Sequence, residues 1–192
     1  MQHDSYERII LGIDPGTQVL GYGVIGTKGK KFDMLDLGVL RLEKIEEHTD
    51  RLKRIHLRVT ELILLHGVDE MAIEAPFYGK NVQSMLKLGR AQGVAIGAAI
   101  GNNVEFFEYS PAKIKQSVTG KGDSTKEQVA MFLQNLFKTK LKTEKLDATD
   151  GLAAAVCHFF QAEPGKIGKT KTYAPKRTSW LKFITKNPDK LR

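Results

Sequence analysis

The sequence predicts an α/β protein built on one mixed five-stranded sheet flanked by helices. Three observations carry this expectation. Near the start, three β-rich runs follow one another with only short polar or glycine-containing connections, which is the pattern of an antiparallel meander. Two further short apolar runs are each preceded by a segment with helical periodicity, as a strand–helix–strand crossover requires. The last apolar stretches again have helical spacing, so helices close the order.

Taken along the chain, "RIILGIDPG" is an apolar run closed by Asp-Pro-Gly, a buried strand running into a turn. "VLGYGVIGTKGKKFDMLDLGVLRL" holds two more strands around Lys-Gly-Lys. From Thr49 to His66, Leu52, Ile55, Val59, Leu62 and Ile63 recur at the spacing of an amphipathic helix. "EMAIEAPF" is a fourth strand, stopped by Pro76, and a long helix follows from about Asn81 to Ile100. "VEFFEY" is the fifth strand, and Pro111 suits the first turn of the next helix. "DSTKEQVAMFLQNLF" and "KLDATDGLAAAVCHFF" complete the helices. No internal repeat is visible.

With 192 residues, 41% of them apolar and 27% charged, the chain suits one soluble domain plus an extension. Its single cysteine, Cys157, excludes an intramolecular disulfide and fits a reducing cytoplasm. "GVAIGAAIG" is too short to span a bilayer, and the start of the chain lacks the features of a signal peptide, so the expectation is a cytoplasmic protein with no membrane association. The formal charge is +8, and residues 163–192 hold nine Lys or Arg against Glu163 and Asp189, which puts +7 of it there. The division expected is therefore a domain over 1–162 and a basic C-terminal tail over 163–192, the latter a solvated tail, an arm attracted to nucleic-acid phosphates, a docking peptide for a partner or a helix covering its own domain.

The acids are the informative residues. Asp14 ends the first strand and Glu74 the fourth. The meander grows away from one side of strand one, which leaves its other side for strand four, so both acids would project at the same sheet end. Asp147 and Asp150, at i and i+3, face the same way from a helix start. Three have a plainer reading, Asp147 and Asp150 as helix-capping and first-turn acids and Asp14 as the turn residue before Pro15, whereas Glu74 closes an apolar strand, where a carboxylate buried without a partner is costly. Four converging carboxylates would repel one another unless a cation lay between them. Hard oxygen donors suit Mg²⁺, with Mn²⁺ as a substitute, and two such ions about 4 Å apart can clamp in-line attack at phosphorus.

The stretches "GIDPGTQVLGYGVI", "IEAPFYGKNVQSMLKLGRAQGVAIGAA", "YSPAKIKQSVTGKG" and "LDATDGLAAAVCH" together resemble the RuvC family of bacterial Holliday-junction resolvases, in the same order over roughly residues 8–160. The resemblance implies an RNase H-like fold, a homodimer, and Mg²⁺-dependent paired nicking of opposed strands at four-way junction DNA, with two ions in each active site during catalysis. It puts Asp14, Glu74, Asp147 and Asp150 on the family's catalytic, metal-binding carboxylates, leaving capping as a compatible second role. It also implies a branch-migration motor, RuvA and RuvB, as partner.

For DNA contacts, Phe77 matches the family's base-stacking aromatic, and Tyr78 beside it offers a second ring. Lys80 suits a phosphate contact and equally a solvated place in the loop. Lys115 and Lys126 match basic positions near the scissile phosphate, and Lys121, in the Gly-Lys-Gly turn, suits a general backbone contact. Gly89, Gly93 and Gly97 form a small-residue stripe that packs either on this chain's own sheet or, as the resemblance implies, across a dimer two-fold. His158 lies too far along its helix from Asp147 to share an ion, and Cys157 reads as a small core residue. Three rival readings are a phosphotransferase with a "GIDPGT" hairpin, a catalytically silent junction-binding module, and an RNase H-like nuclease acting on RNA.

Overall fold

In a computed structural model, residues 5–76, 81–139 and 146–161 are described. Phe77, Lys80 and the basic tail lie outside them. The first strand, β1 (Arg8–Asp14), is buried over five consecutive residues, as a strand covered on both faces must be. It pairs antiparallel with β2 (Val19–Lys28), which pairs antiparallel with β3 (Lys31–Arg41). The β2–β3 turn uses Gly29 at φ +56°, a left-handed conformation that suits glycine. On its other side β1 pairs in parallel with β4 (Glu70–Glu74), and β4 in parallel with β5 (Glu105–Tyr109). The sheet order is β3-β2-β1-β4-β5, with strands one and four adjacent as the meander predicts.

Strand alternation divides the core into two layers. Ile9, Leu11 and Ile13 of β1 and Met71 and Ile73 of β4 face α1 (His48–His66) and α2 (Val82–Gly101), meeting Ile55, Val59, Leu62, Ala91 and Ala95. Ile10 and Ala72 face the opposite layer, built from α3 (Pro111–Thr119), α4 (Lys126–Phe137) and α5 (Leu146–Gln161). Asp14 and Glu74 share the parity of Ile10 and Ala72, so both belong to the α5 side of the sheet.

Local sequence explains the helix ends. Asn81 caps α2 by accepting from the Ser84 N–H, and Ser110 caps α3, with Pro111 in its first turn. Thr125 and Gln128 form a reciprocal capping box at the start of α4. The glycine stripe of α2 corrects one of the two expectations above. A Cβ placed on Gly89, Gly93 or Gly97 would meet nothing within 4 Å, so the stripe does not pack on this chain's own sheet. Ala91, Ala95, Ala98 and Ala99 fill that role from the other side of the helix.

Candidate active site

Asp14 and Glu74 are brought together by the register of the sheet. Ile13 pairs with Ile73, and the next residue on each strand is the acid. Glu74 is also held from behind: the buried Gln92 amide lies 3.5 Å from the Glu74 carbonyl oxygen and donates to Glu108 at 2.6 Å. The Ala75 N–H donates to the Tyr109 carbonyl, extending the ladder past the acid.

Helix α5 supplies the other two acids because it lies almost in contact with the backbone of β1 and β2. A Cβ on Gly151 would come within 2.6 Å of the Tyr22 Cα and 2.7 Å of the Gly21 carbonyl carbon. Only a residue without a side chain permits that approach. The close seat sets the first turns of α5 over the sheet end, with Asp150 adjoining Gly151 and Asp147 one turn earlier. Asp147 stands inside the helix, in its first turn, where its charge suits the helix dipole; the N-cap role considered from the sequence does not fall to it.

The electrostatics tie the four acids into one cluster. Burial pushes the Asp14 carboxyl up to about 6, reinforced by the charges of Asp150 and Asp147 and opposed by Lys126. Burial pushes Glu74 up to about 8, with Asp14 and Asp150 adding to the rise and Lys126 and Lys115 opposing it. Asp150 is also raised by burial, even though the Lys126 ammonium hydrogen-bonds it. The Lys126 Nζ lies 2.6 Å from Asp150 Oδ2 and 3.6 Å from Asp147 Oδ1. Burial alone would lower Lys126, but the Asp150 hydrogen bond and the charges of Asp150, Asp14 and Asp147 more than offset it and raise its pKa.

The donor set fits a hard divalent cation. It consists of carboxylate oxygens, and two of the carboxyls are held so high that the site favours additional positive charge. Among the described residues, no three His, Cys, Asp or Glu side chains are gathered as a ready-made metal site. Asp147 and Asp150 turn toward Lys126 instead.

Of the basic residues, Lys115 is half-buried on α3 and acts on Glu74 and Asp150, so it lies on the cluster. Lys126 is the first residue of α4. Lys121 is exposed in the α3–α4 turn, which the Thr119 and Ser124 hydroxyls brace by bonding each other and the Lys121 carbonyl. Sequence reasoning assigned Lys126 to phosphate alone and missed its grip on the acids.

It also missed His158. Buried at 2% exposure, His158 joins Tyr109 Oη at 2.7 Å to Glu70 Oε2 at 2.9 Å, with Arg8 3.5 Å from the same carboxylate oxygen. The signal available in the sequence was a second acid, Glu70, opening the short strand that Glu74 closes, which needs a partner where it is buried. Cys157 is fully buried beside Ser117, as expected of a core residue.

Comparison with known proteins identifies the family. The family model described as "Crossover junction endodeoxyribonuclease RuvC" matches residues 10–158. Proteins of that name from Cytophaga hutchinsonii and Porphyromonas gingivalis are each 52% identical over 188 residues, covering 98% and 97% of this chain and 90% and 98% of theirs. Those matches run well past residue 158, so most of the basic tail is shared with these relatives. T. thermophilus RuvC, solved in complex with a Holliday junction substrate, superposes with a TM-score of 0.74 at 31% identity, over 81% of this chain and 94% of that one. The yeast mitochondrial Holliday junction resolvase Ydc2 shares the fold alone, with a TM-score of 0.59 at 13% identity over 80% of this chain and 78% of its own. A central sheet with paired acids at one end, matched over nearly its whole length by these sequences, makes this chain a member of the RuvC family of crossover junction endodeoxyribonucleases, with the RNase H-like fold.

Proposed function

We propose that this protein resolves four-way DNA junctions by divalent-metal-dependent hydrolysis of opposed phosphodiesters, and that Asp14, Glu74, Asp147 and Asp150 form its active site. One observation carries the reading: the acids ending β1 and β4 stand at one sheet end beside those of α5, where burial and neighbouring acid charges raise Asp14, Glu74 and Asp150 and lysines oppose the rise. Mg²⁺ suits the donors, Mn²⁺ can replace it, and two ions are the number that in-line hydrolysis uses. Bound there, such ions supply water activation and charge neutralisation at phosphorus.

The chain's own residues do the rest. Asp14 and Glu74, fixed by adjacent parallel strands, present a rigid pair of oxygens, while Asp147 and Asp150 close from the helix side. Lys115 and Lys126 meet the scissile strand's phosphate charge, and Lys121 meets a phosphate farther along. Phe77, with Tyr78, stacks on bases opened at the crossover, and Lys80 steadies that loop's strand by a phosphate contact. The hydrolysis leaves a 5′-phosphate and a 3′-hydroxyl.

Symmetric cutting calls for two active sites, and a homodimer supplies them. Val82, Leu86 and Ile100 are exposed on α2, together with its open glycine stripe, and a second copy would cover them. The basic tail adds phosphate attraction, and a branch-migration motor of the RuvA and RuvB kind delivers the junction in the cytoplasm. No described helix is long and apolar enough to cross a membrane.

The test is cleavage of a synthetic mobile four-way junction with Mg²⁺ by the native protein and by Asp147→Asn and Asp150→Asn. Paired nicks that vanish in both folded variants, with junction binding kept, support the reading. Normal cutting by both variants overturns the site, and binding without cutting by the native protein reduces it to a junction-binding module.

A further inference from the structure

We propose that Lys126 is a tethered counter-ion: in the metal-free protein its ammonium holds Asp150 and Asp147, and divalent cations must displace it to load the site. The proposal rests on the metal-binding role of the four carboxylates and goes beyond it. Lys126 Nζ makes a charge-assisted hydrogen bond of 2.6 Å to Asp150 and lies 3.6 Å from Asp147, so the oxygens a cation needs are already engaged. The same ammonium acts on Asp14 and Glu74, which makes it a positive charge shared by all four acids.

The local structure lets this charge move while its backbone stays still. Lys126 is the first residue of α4, locked by the Thr125–Gln128 capping box and by the Thr119–Ser124 hydroxyl pair in the preceding turn. Its flexible four-carbon stem is half-exposed and can swing the ammonium out. An ion entering between the acids meets like charge and takes over the carboxylates. The released ammonium then points from a helix start toward the place where a phosphate docks. Loading the metal and preparing the phosphate contact become one exchange. Lys126 therefore weakens resting metal affinity, the opposite of what a residue that merely stabilises the site would do.

The experiment measures Mn²⁺ binding to the full-length protein without DNA, by the electron paramagnetic resonance of free Mn²⁺. Removing a unit charge this close to the acids is expected to tighten binding roughly tenfold in Lys126→Met. Lys126→Arg, which keeps the charge, is expected to stay near the native affinity. Equal or weaker binding by folded Lys126→Met overturns the proposal. Should Lys126→Met fail to fold, the native protein decides: with ¹³Cε-labelled lysine, the resonance absent from Lys126→Arg should shift toward a solvated lysine as Mg²⁺ saturates. A resonance that stays in place overturns the proposal. Asp150→Asn separates the two levels of the reading. Mn²⁺ binding lost in Asp150→Asn, yet equal in native and Lys126→Met, sinks only the counter-ion. Binding undiminished in Asp150→Asn sinks the carboxylate site and the counter-ion with it.

Discussion

Asp14 and Glu74 end neighbouring parallel strands one residue beyond the paired Ile13 and Ile73, and both face α5. Two partly buried like charges so placed oppose folding unless a cation or a proton compensates them. Asp14→Asn and Glu74→Gln should each abolish junction cleavage. Each should also make the metal-free protein more stable near pH 8, by ~1 kcal/mol, or about 3 °C in Tm for a domain of this size. Calorimetry without divalent ions checks the second effect; a drop in Tm would show that the carboxylate is paired more firmly than its surroundings suggest.

The same shifts fix a pH dependence. Glu74 titrates near 8 in the folded protein and near the ordinary carboxylate value when unfolded, so the folded state binds more protons in between. Its stabilising contribution is present at low pH and is lost as pH rises through about 8; Asp14 behaves alike up to about 6. Metal-free stability should therefore fall over this window, and fall less in Glu74→Gln. Mg²⁺ binds the deprotonated site, so the Tm it adds should be larger at about pH 8 than at about pH 5.5. An equal gain at both would detach metal binding from these carboxyls.

The seat of α5 makes Gly151 sensitive to a single methyl group. Gly151→Ala drives a Cβ into the backbone of Gly21 and Tyr22, where no flexible side chain can yield. The expected cost is about 1–3 kcal/mol, with a loss of cleavage beyond what the unfolded fraction explains, because lifting α5 withdraws Asp147 and Asp150 from the strand acids. Urea unfolding and single-turnover cleavage at a temperature where the variant stays folded separate the two.

His158→Leu removes the bridge between Tyr109 and Glu70 and leaves a buried carboxylate with Arg8 at 3.5 Å. The expected destabilisation is about 2–4 kcal/mol in urea unfolding. His158 lies about 16 Å along α5 from Asp147 at the rise of an α-helix, so the Mn²⁺ affinity of the folded variant should match the native one. A weakened affinity would mean that this network sets the position of the helix's acids.

Much of this was legible in the sequence. Strand and helix periods, the turn at Gly29, Pro111 opening α3 and the meander that leaves β1 free for β4 are local or topological signals. Asp14 and Glu74 were readable because a strand end is a position that pattern alone can fix. The contacts of Lys126 were not: a four-torsion side chain at the start of α4 chooses between phosphate and Asp150 only once α5 is docked beside it. His158 escaped for a related reason, since its partners come from the opening of β4 and the close of β5, far apart in the chain. The glycine stripe of α2 gave a period but not the direction it faces.

The docking of α5 on β1 and β2 has a consequence for the order of events during synthesis. The helix that carries half the acids is followed in the described fold by nothing else, yet it packs on the first two strands to be made. A ribosome-bound chain that stops before residue 146 holds only Asp14 and Glu74 of the four acids, with the seat of α5 on β1 and β2 uncovered. Contacts of such sequence separation form late. A partly made chain thus lacks two of the four acids proposed to hold the metal, and the proposed site is completed only with the last described helix.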